Sequence, residues 1–267
     1  MPDATEKKKS APLIPAATVL LLREGEGGVE VFMVVRHHQI DFASGALVFP
    51  GGKLDASDAA DDLAAHCRGA DGLTAVQRSL RVGAIREAFE ESGVLLARPA
   101  GEAEFVSAAR VRALQPWRAR LEGHEASMLE FVRAEKLDLA LDALVPFAHW
   151  ITPSFMPKRF DTHFFVAAAP ADHDALHDGS ESVDSVWIAP RAALADGRAK
   201  KRVIIFPTRL NLEKLARSAN LGAALDAQPV VTVQPWLEQQ DGKTLLRIPP
   251  DAGYGDVFEE MPPRMPK

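Results

Sequence analysis

A single cysteine, Cys67, stands in 267 residues. One thiol excludes an internal disulfide framework and fits a reducing compartment, so a cytoplasmic location is expected. Basic residues are in deficit: Lys and Arg total 31 against 37 Asp and Glu, for a net charge of -6. That balance argues against a nucleic-acid binder, which would carry a basic face. No apolar run approaches the ~18 residues of a membrane span. The opening MPDATEKKKSAPLIP has lysines, but the AATVLLL that follows is short and runs into the turn formers REGEGG, which reads as strand and turn rather than a secretion signal. Internal repeats are lacking too, so a solenoid is excluded.

What is present is an apolar content of 47%, enough for a core in one large domain or two small ones. Residues 1–15 read as a polar, disordered tail. Stretches 16–22 and 29–36, separated by REGEGG, predict a hairpin. ALVFPGG predicts a strand ending in a tight turn. Residues 56–81 are Ala- and Asp-rich with weak helical character, 82–92 predict a better helix, and VLLA after it predicts a strand. A long helical pattern covers 103–145. FAHWITP, RFDTHFFVAAAP and VDSVWIAP predict strands; Pro190 opens a short helix with Gly197 past its end, and Thr208 is placed as the N-cap of another. The proline-rich stretch from Gln228 predicts extended arms or strands. Strands mixed with helices imply a mixed sheet with helices on its faces.

The stretch REAFEESGV, residues 86–94, carries the chemistry. At 100° per residue, Val82, Ile85, Ala88 and Phe89 share one side of a helix, while Glu87, Glu90 and Glu91 gather on the other at i, i+3, i+4. Gly93 suits the left-handed position that ends a helix. Carboxylates ~5 Å apart repel by roughly 3 kcal/mol at an effective dielectric near 20, and the C-terminal end of the dipole adds to the cost. Arg86 offsets part of this by i,i+4 pairing with Glu90; a divalent cation offsets more, and oxygen-only ligands favour Mg2+ or Mn2+. On spacing alone an ordinary solvated Glu-rich face is the competing reading.

Context upstream decides between them. Gly52 in FPGGKLDASD, with Asp58 and the run Arg86 to Val94, resembles the Nudix box. The box is a glycine, five residues, a glutamate, seven residues, then R-E-U-x-E-E-x-G-U, with U bulky and aliphatic. Ala88 stands at an aliphatic position, Asp58 stands for the glutamate, and the spacer Ala59–Ile85 is 27 residues, an insertion of 20. A branch of the Nudix hydrolases carries such an insertion, about 59–81 here. The resemblance covers residues 16–255, with 256–267 a C-terminal tail. It implies an α+β fold, a Nudix α/β/α sandwich on a mixed β-sheet, with 103–145 as a helical insertion that caps the site or forms a homodimer contact.

The resemblance also implies roles. Glu87, Glu90 and Glu91 match the metal-holding glutamates, and Arg86 matches the arginine that orients a glutamate. Gly51 and Gly52 belong to the substrate-binding turn. A further acid in the family stands six residues before a tryptophan: Glu181 before Trp187, with Asp184 as rival. A coenzyme A-active sub-branch has a signature ahead of the box, and Arg36, Gly45 and FPGG keep its spacing, while His37 and Asp41 replace a small residue and a second arginine. Arg36 and Arg159 are candidate phosphate contacts, or else surface and strand-end residues. His37 and His38 read as loop residues; His173 and His177 read as a plain surface loop. The implied activity is metal-dependent hydrolysis of a nucleoside diphosphate linked to another moiety, coenzyme A or acyl-coenzyme A types leading and ADP-ribose or NADH types open. The partner expected is that small molecule, with no nucleic acid and no membrane. A non-catalytic Nudix-fold nucleotide-binding module is the rival class; an acidic scaffold using 103–145 to bind partners is the third reading.

Overall fold

The structure, a computed structural model, describes residues 10–36, 45–173, 175 and 182–261. In chain order the strands and helices are β1 (Leu13–Gly25), β2 (Gly28–Arg36), β3 (Leu47–Val48), β4 (Gly51–Lys53), β5 (Cys67–Arg68), α1 (Ala75–Ser92), β6 (Ala97–Pro99), α2 (Ala108–Leu114), α3 (Pro116–Glu122), α4 (Met128–Glu135), β7 (Leu137–Ala140), β8 (Val145–Ile151), β9 (Arg159–Ala168), β10 (Ser182–Ile188), α5 (Pro190–Arg198), α6 (Phe206–Leu215), α7 (Leu221–Leu225), β11 (Thr232–Val233), β12 (Trp236–Gln240), β13 (Lys243–Arg247) and β14 (Phe258–Glu260).

The main sheet runs β10-β2-β1-β9-β8-β11, with β3 added to β2 and β4 to β1. It is mixed: β1 pairs antiparallel with β2 and β4 but parallel with β9. Alternation along β1 sorts its side chains. Ala17, Val19 and Leu21 join Val82, Ile85, Ala88 and Phe89 of α1 in one apolar cluster. Leu20 and Leu22 join Leu194, Leu210, Leu212 and Ala224 from α5, α6 and α7 in the other. The sheet therefore lies between helical layers. Among the described residues, no helix is long and apolar enough to cross a membrane.

Several expectations need correction. β1 reaches back to Leu13, so residues 13–15 are strand rather than tail; Leu13 and Ile14 pair with Arg159 and Phe160. The helix expected over 82–92 begins at Ala75. Thr74 and Gln77 form a capping box, each side chain accepting the other's backbone N–H, and this gives the helix an earlier start than its apolar pattern showed. The remainder of 56–74 forms two 3-10 turns, Ala56–Ala59 and Asp61–His66, and the short β5. Val94–Leu96 are buried but outside any strand, which starts only at Ala97. The 103–145 stretch breaks into three short helices followed by β7, because Pro116 starts a new helix and Lys136 adopts a left-handed backbone that ends α4. Gly197 lies inside α5, which runs on to Arg198. Ile205 caps α6 and Pro207 lies in its first turn, so Thr208 is a buried helical residue rather than the cap. Residues 258–260 of the expected tail form β14.

The inserted helices also brace α1. Phe89 stacks on Phe131 of α4 with ring centroids 5.5 Å apart, and Trp117 of α3 packs on Phe131 at 5.2 Å. Hence α1 is buried nearly all round from Leu80 to Ser92, and its acidic side is not a solvated face.

Candidate active site

The acidic end of α1 folds against β4 and the first 3-10 turn. Arg86 is the hub. Its Nε donates to Asp58 Oδ1 at 3.0 Å and its Nη2 to Asp58 Oδ2 at 3.0 Å and to the Lys53 carbonyl at 2.9 Å. Its Nη1 donates to Glu87 Oε1 at 3.0 Å and to Glu90 Oε2 at 2.9 Å. One guanidinium thus holds three carboxylates, using its rigid fork of donors. The i,i+4 link to Glu90 expected from the sequence is one of six hydrogen bonds that Arg86 donates.

Asp58 is fully buried. It also accepts the Asp55 N–H at 2.9 Å, closing a capping box in which Asp55 Oδ1 takes the Ser57 N–H at 2.7 Å. This local turn delivers the short Asp side chain to Arg86, where the box pattern has the longer Glu. Glu91 is fixed separately: its Oε2 accepts the Gly51 N–H at 2.9 Å.

Gly52 is required by close approach. A Cβ there would stand 2.6 Å from Glu87 Oε1 and 2.7 Å from Oε2. Gly52→Ala must push the Glu87 carboxylate aside. Its expected result is a fall in turnover of about 100-fold, the scale of a misplacement near 1 Å, with the melting temperature shifted much less; kinetics and thermal unfolding on the same preparation check this. Gly93 ends α1 with φ 72 and its N–H bonded to the Phe89 carbonyl at 2.9 Å, as its position implied.

Sequence reading missed Arg118. From α3 it donates through Nε at 3.2 Å and Nη2 at 2.8 Å to the Glu90 main-chain carbonyl, and through Nη1 to Gln115 Oε1 at 3.0 Å. A cation at the carbonyl end of α1 is favourable for the dipole, so the insertion clamps the turn that carries the acids. One arginine within a helical stretch gave no signal of this.

The electrostatics are strained. Asp58, Glu87, Glu90 and Glu91 are all buried, with the Arg86 guanidinium among them. Burial pushes Glu90 up to about 8; the Glu87 and Asp58 charges add to the shift and Arg86 opposes it. Burial likewise raises Asp58 against the pull of Arg86. Burial works against the Arg86 charge, but Glu87, Asp58 and Glu90 together hold it firmly protonated. Among the described residues, Glu90 Oε1 is buried with no hydrogen-bond partner.

An excess of hard oxygen donors with an orphaned carboxylate oxygen suits a divalent cation of the Mg2+ type. Glu87, Glu90 and Glu91 do not by themselves bring three oxygens within 4.8 Å of one another. Waters and substrate oxygens commonly complete such sites.

The other candidates are placed as follows. Arg159 is buried, its Nε on the Thr152 carbonyl at 3.1 Å and its Nη1 on the Ala11 carbonyl at 3.2 Å. It therefore fastens the entry of β1 to the β8–β9 loop. Arg36 ends β2, and its side chain lies outside the described residues, as do Glu181, His37, His38, Asp41 and His177. Asp184 is exposed on β10, with Oδ1 on the Ser185 N–H at 2.8 Å. His173 is no surface residue: it is buried, with Nε2 2.7 Å from the Val106 carbonyl.

Comparison with known proteins agrees with this architecture. A crystal structure of a NUDIX hydrolase from Alicyclobacillus acidocaldarius superposes with a TM-score of 0.68 at 26% identity, covering 82% of this chain and 99% of that one. This bears out the Nudix sandwich expected from the box. A relative named acyl-coenzyme A diphosphatase NUDT19, from Xenopus laevis, is 25% identical over 229 residues, 71% of this chain and 60% of that protein. The Homo sapiens protein of the same name is 27% identical over 235 residues, 73% of this chain and 62% of that protein. The chain thus spans about three fifths of the length of these relatives. Residues 64–215, more than half of the chain and including the whole acidic helix end, match the NUDT19 Nudix domain, and the chain belongs to that family.

Proposed function

We propose that this domain hydrolyses the diphosphate of coenzyme A or acyl-coenzyme A, using Mg2+ or Mn2+ held by Glu87, Glu90 and Glu91. The observation that carries the reading is the buried acid cluster with the unpartnered Glu90 Oε1. The relatives' printed names supply the substrate class. The cation, when bound, neutralises the diphosphate oxygens, polarises phosphorus and lowers the pKa of a bound water.

The chain's own residues do the rest. Arg86 keeps Glu87 and Glu90 side by side, and Asp58 anchors Arg86 from behind. The Gly51 N–H holds Glu91 against β4. Burial raises the proton affinity of Glu90, so the cluster gives up charge readily unless a cation compensates it. Water attack at one phosphorus breaks its bond to the bridging oxygen, the water's OH staying on that phosphorus and a proton going to the leaving oxygen, so each product keeps one phosphate of the bridge as a phosphomonoester. Arg36 and Glu181 stay candidates for a phosphate contact and for a further acid.

The test is a hydrolysis panel of coenzyme A, an acyl-coenzyme A, ADP-ribose, NADH and a dinucleoside polyphosphate, each with Mg2+ and with Mn2+. Coenzyme A compounds should give the highest kcat/KM, and turnover should vanish with chelator. A higher kcat/KM for ADP-ribose or NADH overturns the substrate assignment. Binding without turnover of any compound overturns catalysis and leaves the nucleotide-binding module.

A further inference from the structure

A second group of metal-ligating side chains stands two strands along the same sheet face from the turn at Gly52, and the proposed hydrolysis does not use it. His149 on β8 and His163 on β9 are direct cross-strand partners, and their rings stack with centroids 4.0 Å apart and planes 18° from parallel. Both turn toward Asp161 Oδ1, with His149 Nε2 at 2.5 Å and His163 Nε2 at 3.7 Å. Ligand atoms of the three residues all lie within 4.8 Å of one another, the one such convergence among the described residues. Each of the three side chains is partly open to solvent.

The arrangement has the parts a coordinating site needs. The second ring nitrogen of His149, Nδ1, is 2.8 Å from Thr232 Oγ1 on β11. In the metal-free chain Nε2–H donates to Asp161 Oδ1; a cation displacing that proton would leave Nδ1–H to donate to the Thr232 hydroxyl and give both Nε2 and Oδ1 a partner. A metal-bound histidine ordinarily has its other nitrogen fixed in this way. Tetrahedral bonds of ~2.0–2.1 Å set ligand atoms roughly 3.4 Å apart. His163 is already near that spacing, and Asp161 would draw back from His149 by about 1 Å, a small rotation for a partly exposed side chain.

We infer that His149 Nε2, Asp161 Oδ1 and His163 Nε2 form a site for a borderline divalent cation of the Zn2+ type, with a coordination position left for water. Two imidazoles with one carboxylate suit such an ion better than Mg2+, which takes oxygen ligands. The site is separate from the acid cluster but on the same sheet face. Gly52 opposes Ala17, Ala17 opposes His163, and His163 opposes His149. Two strand spacings put His163 about 10 Å from Gly52. Phe165, two residues on from His163, packs in the cluster of α1, and the Arg81 guanidinium of α1 sits 5.1 Å from its ring. Bound there, the ion would join β8 to β9 and, through Thr232, to β11.

The experiment is calorimetric titration of Zn2+ into the metal-free full chain, with millimolar Mg2+ present to compete at the carboxylates. One equivalent of Zn2+ should bind, and Co2+ in its place should give the visible bands of a nitrogen-ligated, tetrahedral ion. His149→Gln and His163→Gln should each abolish uptake, while Thr232→Val should weaken it about tenfold. The double change Glu87→Gln with Glu90→Gln should leave it intact. Absence of Zn2+ uptake, or uptake unchanged in both histidine variants, overturns the site and leaves Asp161, His149 and Thr232 as a hydrogen-bond chain tying three strands. Should a histidine variant fail to fold, the wild-type Co2+ spectrum decides: an octahedral, all-oxygen spectrum overturns the proposal.

Discussion

Glu90→Gln should lower turnover by about 10²–10⁴-fold, the range for losing a positioned charged group that acts on the reacting centre, while making the metal-free protein more stable near neutral pH. The two effects have one cause. Glu90 is buried, its Oε1 lacks a hydrogen-bond partner among the described residues, and its pKa is pushed up to about 8 from an ordinary 4.5. Below pH 4.5 the folded and unfolded chains both carry the proton, and the group adds no pH dependence. Between 4.5 and 8 the unfolded chain ionises first, so folding takes up a proton and stability falls as pH rises. Above about 8 the folded chain ionises too, and the loss levels off at its full value. Asp58, raised in the same direction, adds to the slope. Melting curves of metal-free protein from pH 5 to 9 should show this decline, and Glu90→Gln should flatten it. Added Mg2+ should stabilise the wild type more as pH rises, because it binds the deprotonated cluster, and should stabilise the variant less. Turnover in the variant equal to wild type would show that this helix end is not the reacting centre.

Arg86→Ala should be the most destabilising single change in the metal-free protein, at about 3–5 kcal/mol, the cost of leaving buried charges unpaired. Its guanidinium bonds Asp58, Glu87, Glu90 and the Lys53 carbonyl from a buried position. Removal takes away the guanidinium that Asp58, Glu87 and Glu90 share. Denaturant unfolding measures the loss. Asp58→Asn in the Arg86→Ala background should recover part of it, since Asp58 is fully buried and serves chiefly Arg86. Additive losses in the double variant would mean that the two side chains do not act as a unit. Turnover should be lost as well, because Glu87 and Glu90 are no longer held side by side.

The local parts of this protein were legible because they depend on neighbours in the chain. The spacing of Glu87, Glu90 and Glu91 follows from helix periodicity and the left-handed stop at Gly93 from the freedom of a glycine backbone, and the apolar side Val82, Ile85, Ala88 and Phe89 does face the core. The box residues with FPGG carried the family and, with it, the sandwich. What periodicity could not show was that the acidic side is buried. A helix pressed between a sheet and inserted helices carries no polar stripe toward solvent, so the competing reading as a solvated face failed for a reason outside the helix. The roles of Asp58, Arg118 and Arg159 are also products of tertiary structure: Asp58 meets Arg86 and Arg118 meets Glu90 across 28 residues of chain, and Arg159 meets Ala11 across 148. The pairing of His149 with His163 depends on the β8–β9 register. Chain order sets which groups exist and how they repeat; packing sets which are dry, and a dry carboxylate is the one whose charge must be answered.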